Sequence, residues 1–129
     1  MIISLENISH WAIAILWLIT GITSIWGAPE VGYEVLARVN VIGDLATLII
    51  YLGSTLDILL GLWILTGYRL FLCGWIQICT IIIYSILLTI IAAEFWLHPF
   101  GPLTKNLPAL VLIYTVFINN QGNVNKTAR

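Results

Sequence analysis

Three stretches of this chain run for more than twenty residues almost without charge, and they decide what it can fold into. Asn7–Pro29 holds 23 residues with no formal charge, Leu45–Tyr68 holds 24 broken only by Asp57, and Leu70–Ala93 holds 24 with none. A helix needs roughly 20 apolar residues to cross a hydrocarbon core about 30 Å thick. Each stretch is therefore expected to be a transmembrane helix. Composition agrees, with 60% hydrophobic and 9% charged residues against about 45–50% and about 25% in soluble domains. Little chain remains for a separate soluble enzyme domain, and a net charge of −1 gives no basic surplus for nucleic acid. The first stretch differs from a secretory signal, because Glu6 and no Lys or Arg precedes it and no A-x-A site follows; it is expected to stay in the mature protein.

A fourth apolar run, Leu107–Ile118, has only 12 residues and covers about 18 Å as a helix. The polar text that follows, Asn119-Asn120-Gln121-Gly122-Asn123, pushes any extension to the N-terminal side. A start at Gly101-Pro102, with proline in the first turn where its missing N–H costs nothing, draws Lys105 and Asn106 into the helix. The expected architecture is a single all-α membrane domain over residues 1–129. It is an antiparallel four-transmembrane-helix bundle with helices at about 8–27, 46–67, 70–93 and 102–118. Four spans put both termini beside the Tyr68-Arg69 turn, with Arg69, Lys126 and Arg129 on that side. Arg38 and Lys105 share the other side with Glu30, Glu34, Asp44 and Glu94. The basic bias places both termini in the cytoplasm.

Polar groups at membrane depth need partners. Asp57 lies near the middle of the second span, where an ionised carboxylate costs at least about 2.5–3.5 kcal/mol on insertion scales. Gly53, Asp57 and Gly61 recur at i, i+4 and i+8, a small-residue stripe that lets a neighbouring helix approach. Gln77, Thr80 and Tyr84 form a matching stripe on the third span. Two readings stay open: a hydrogen-bonded carboxyl that fixes helix pairing, or a group that handles protons or substrate. Cys73 and Cys79, six apart in one span, face different directions and read as packing residues.

The third loop, Glu94-Phe95-Trp96-Leu97-His98-Pro99-Phe100-Gly101-Pro102-Leu103-Thr104-Lys105-Asn106-Leu107-Pro108, joins an acid, an imidazole, an ammonium and a carboxamide to rigid turn chemistry. Glu94, His98, Lys105 and Asn106 are expected to form one polar site, with the Lys105 ammonium within about 4 Å of a carboxylate and Glu94 favoured. The competing reading is an interfacial aromatic belt with a snorkelling lysine. Glu34 and Arg38, four apart in the first loop, pair if that segment is helical. No zinc, nucleotide or nucleophile-elbow motif occurs, so no intrinsic metal or cofactor is expected.

The run from Glu94 to Pro108 resembles the signature of the DoxX-like membrane family, in the branch also fused to short-chain-reductase or NmrA-like NAD(P)-binding domains. The likeness extends to Thr20-Gly21-Ile22-Thr23-Ser24, to Tyr51-Leu52-Gly53 and to Leu56-Asp57-Ile58-Leu59-Leu60-Gly61. The resemblance implies a four-helix protein of a bacterial inner membrane, in the company of quinone-linked or defensive redox systems. It carries no activity residue by residue, and with no fused nucleotide-binding domain in this chain a redox partner would be a separate oxidoreductase. Three functions follow as expectations: an accessory subunit of a redox system with a pocket for quinone or another lipophilic ligand, a small proton or solute transport module using Asp57, and a structural scaffold. The lipid bilayer is the expected surrounding, and self-association stays open.

Overall fold

The computed structural model describes residues 5–27, 29–97 and 104–119, and among these every regular element is helical. Helix α1 spans Leu5–Ile22 and widens into a π turn at Thr23–Gly27. The first loop contains a helix, α2, over Pro29–Ala37. Proline at its first position and Glu30 in its first turn suit a helix N-terminus, where the N–H groups lack partners and the dipole favours an acid. Helix α3 spans Gly43–Thr66 and α4 spans Leu70–Ile91. Between them Gly67 takes a left-handed conformation, φ 70°, and its N–H donates to the Ile64 carbonyl at 3.2 Å. The Trp63 indole reaches across the turn to the Tyr68 carbonyl at 2.7 Å. A 3-10 turn at Ala93–Trp96 follows α4.

Three of these helices, Asn7–Gly27, Gly43–Thr66 and Leu70–Ile91, are long and apolar enough to cross a membrane. The last apolar helix is shorter. Helix α5 covers Asn106–Ile113 and continues as a π turn over Tyr114–Asn119, in all about 21 Å at about 1.5 Å per residue. The expected start at Pro102 and the residue His98 lie outside the described residues. Among the described ones α5 opens at Asn106, so Lys105 precedes the helix instead of lying in it. Pro108 then falls in the first turn, where its missing N–H leaves no bond unmade.

Glycines set the closest helix contacts. A Cβ on Gly21 of α1 would stand 2.6 Å from Ile58 Cγ1 and 2.8 Å from the Ser54 carbonyl oxygen of α3, and one on Gly61 would stand 2.7 Å from Leu18 Cγ and 3.0 Å from the Ala14 carbonyl oxygen. Gly74 of α4 leaves room for Phe117, whose Cβ would be 2.5 Å away. The buried core gathers towards the end that carries the α3–α4 turn, with Ile13 and Trp17, Leu60 and Ile64, Cys73 and Phe117 all buried. The other end packs less densely: Ala46 and Ala92 are the buried hydrophobic residues there among those described, and neither belongs to that core.

Candidate ligand groove and polar sites

At that looser end, Ser85 and Thr89, and likewise Ile86 and Ile90, repeat at i and i+4 and form adjacent rows on α4. The helix stops when Ala92 leaves helical geometry, φ −147° and ψ 64°, and the 3-10 turn brings Trp96 back over these rows. The five side chains line an open groove of about 240 Å³. The Trp96 indole N–H donates to Thr89 Oγ1 at 2.9 Å, and Thr89 donates to the Ser85 carbonyl at 2.6 Å. Thr104 Oγ1 donates to the Trp96 carbonyl at 3.0 Å, and Asn106 Nδ2 donates to Ser85 Oγ at 2.8 Å. The exposed lining of the groove is almost wholly apolar, and the bonded hydroxyls of Ser85 and Thr89 run along one edge with little polar surface open to it.

The same turn carries Glu94, which forms an ion pair with Arg38. Arg38 lies just past the end of α2, so the pair ties the first loop to the end of α4. Hydrogen bonding from Arg38, and then from its own backbone N–H, holds the Glu94 carboxyl below the usual carboxylate range. This overturns two expectations. Arg38 does not pair with Glu34, because the helix ends at Ala37 and the guanidinium turns to a residue 56 positions away; Glu34 stays exposed. Nor does Glu94 pair with Lys105. Lys105 is exposed at the cap of α5, and among the described residues no carboxylate lies within ion-pair distance of it. Glu94 and Arg38 are thus brought together, Asn106 is brought to Ser85, and Lys105 and Glu34 are left apart.

Within the spans the expected polar stripe divides. Tyr84 Oη donates to Asp57 Oδ1 at 3.5 Å, the outer limit of a hydrogen bond, and Asp57 is only 4% exposed. Thr80 instead donates to the Ile76 carbonyl of its own helix at 2.8 Å. Gln77, fully buried, accepts from the Trp17 indole at 2.9 Å and donates to Cys73 Sγ at 3.4 Å, linking α4 to α1. Cys73 is buried and Cys79 exposed, both as free thiols. Among the described residues no group of three His, Cys, Asp or Glu side chains could hold a metal ion.

Sequence reasoning passed over Ser85, Thr89 and Trp17. The four-residue spacing of Ser85 and Thr89 was the available signal for the groove; Trp17 offered none, since a tryptophan in an apolar span reads as packing.

Residues 14–114 match the DoxX-like family. The chain belongs to that family. The matched segment contains the groove, the Arg38–Glu94 pair and Asp57, so these features of the DoxX-like chain lie within the part the family shares. No curated protein and no solved structure matches the chain.

Proposed function

We propose that this DoxX-like protein is an accessory membrane subunit of a redox system, holding the headgroup of a quinone-class lipid in the groove beside Trp96. The observation that carries the reading is an open, almost wholly apolar groove with the Ser85 hydroxyl at its edge. Ile86, Ile90 and the Trp96 ring suit a flat apolar ring. Ser85 Oγ accepts from Asn106, which leaves its own O–H to donate to a carbonyl oxygen. The volume, about 240 Å³, is below the roughly 300–1,000 Å³ of sites that enclose a whole drug-sized molecule. It suits a headgroup whose isoprenoid tail stays in lipid. The redox assignment draws on the company kept by the family.

In the same reading the chain crosses a bacterial inner membrane four times as an antiparallel bundle, with both termini in the cytoplasm. The reversed order of contacts supports the antiparallel packing: Gly21 lies against Ser54 while Gly61 lies against Ala14, and Asn106 meets Ser85 while Phe117 meets Gly74. A start of the last helix upstream of Asn106 would supply the missing length. Isolation of the tagged protein in mild detergent tests the function. Recovery of a separate oxidoreductase together with extractable quinone is the expected outcome, and protein free of both contradicts it.

A further inference from the structure

We infer that Asp57, Ser54 and Tyr84 form a proton-binding site in the membrane core, distinct from the groove, in which Asp57 takes and releases the proton. Asp57 and Ser54 are three residues apart on α3 and so share a face. Both are almost wholly buried, at 4% and 2% exposure. Neither is well satisfied. Asp57 receives one long hydrogen bond, from Tyr84 at 3.5 Å, and Ser54 Oγ has no hydrogen-bond partner.

Two under-satisfied polar groups on one buried face are not what helix pairing requires. A threonine or serine in an apolar helix ordinarily returns its proton to the carbonyl four residues back, as Thr55 does to Tyr51 and Thr80 to Ile76. Ser54 does not. Buried polar atoms without partners mark places where a water or an exchangeable proton completes the network, and an ionisable group inside a membrane is costly enough that its retention points to use.

The surroundings restrict what completes this network. Tyr84 Oη would stand 3.4 Å from a Cβ on Gly53, so the phenol occupies the space that glycine leaves beside Asp57. On the Ser54 side α3 is closed by α1, where Gly21 presses on the Ser54 carbonyl, and the α1 residues packed there, Ala14, Leu18 and Gly21, carry no titratable group; α2, which carries Glu30, Tyr33 and Glu34, meets α3 nearer its start, at Thr47 and Ile50. Across α4, Tyr84 is the titratable side chain that meets Asp57, and Thr80 and Gln77 are uncharged. No cation faces the carboxyl among these residues, so a bound proton is what neutralises it. A water between Asp57 and Ser54 would carry the proton's hydrogen bonds.

Infrared difference spectroscopy of the whole protein in lipid nanodiscs, between mildly alkaline and mildly acidic buffer, tests this. The site predicts a protonated-carboxyl band that appears on acidification, moves in deuterated water and is lost in Asp57→Asn. Ser54→Ala and Tyr84→Phe should each shift that band, since each removes one hydrogen-bonding neighbour, and these two variants keep the test decisive should Asp57→Asn not fold. Absence of a titrating carboxyl band, its persistence in Asp57→Asn, its indifference to both hydroxyl deletions, or its replacement by a response to sodium against choline would each overturn the inference.

Discussion

Arg38 and Glu94, 56 residues apart, meet at the loose end of the bundle and tie the loop after α2 to the turn that carries Trp96. Glu94 opens this short turn and Trp96 closes it. Both side chains are exposed, so the ion pair is a surface contact of small energy that joins the first loop to the wall carrying Trp96.

This pair predicts a charge-swap result. Arg38→Glu and Glu94→Arg should each weaken retention of ligand in the groove, and the double variant should recover most of it. The measure is quinone retained through purification. The pH dependence has a fixed sign. Because the folded protein holds the Glu94 carboxyl below its usual range, the pair's contribution is complete above that range and is lost as pH falls through the lowered value.

Two glycines of α1 and α3 should respond differently to the same methyl. At Gly21 the obstacle includes the Ser54 carbonyl at 2.8 Å, backbone that cannot rotate away, whereas at Gly53 the nearest atom is the tip of Tyr84 at 3.4 Å. Gly21→Ala should therefore destabilise by about 1–3 kcal/mol, the usual scale of overpacking, and Gly53→Ala should be nearly silent. Thermal unfolding in one detergent compares them directly.

The link from Trp17 to Gln77 is fully buried, so it is expected to bind α1 to α4. Interhelical hydrogen bonds in membranes average about 0.6 kcal/mol and reach about 1.7 kcal/mol. A double-mutant cycle with Trp17→Phe and Gln77→Leu should return a coupling in that range. A coupling of zero would mean that the two side chains only fill space.

The spans were legible because long uncharged runs admit few other solutions. Along the stripe through Gly53, Asp57 and Gly61, the last two are buried and Gly53 is half-buried, and Asp57 meets Tyr84 of the matching stripe on α4. The groove was less so. Nearness in sequence favoured Lys105 as the partner of Glu94 and Glu34 as the partner of Arg38, and both failed for one reason. Where a loop folds across the end of a bundle, the partner of a charge is set by which helix ends meet, and a linear spacing does not hold that information. Gln77 teaches the same point, since the sequence put it on one polar stripe with Thr80 and Tyr84 but its face on α4 meets Trp17.

The hydrogen-bonded row at the groove's edge yields a fourth set of variants. Thr89→Val removes the acceptor of the Trp96 indole N–H, and Asn106→Leu removes the donor to Ser85. Each should lower quinone retention several-fold while leaving thermal stability within about 1 kcal/mol, the net worth of an ordinary hydrogen bond. Equal loss of stability and retention would assign both residues to the fold alone.

Binding of a short-tailed quinone in nanodiscs, followed by quenching of tryptophan fluorescence, tests the central claim most directly. Wild type should show saturable quenching, and Trp96→Phe should lose the saturable part while keeping the linear collisional part from the other five tryptophans. Quenching that is linear in the wild type, or saturable to the same extent in Trp96→Phe, would contradict a quinone site beside Trp96.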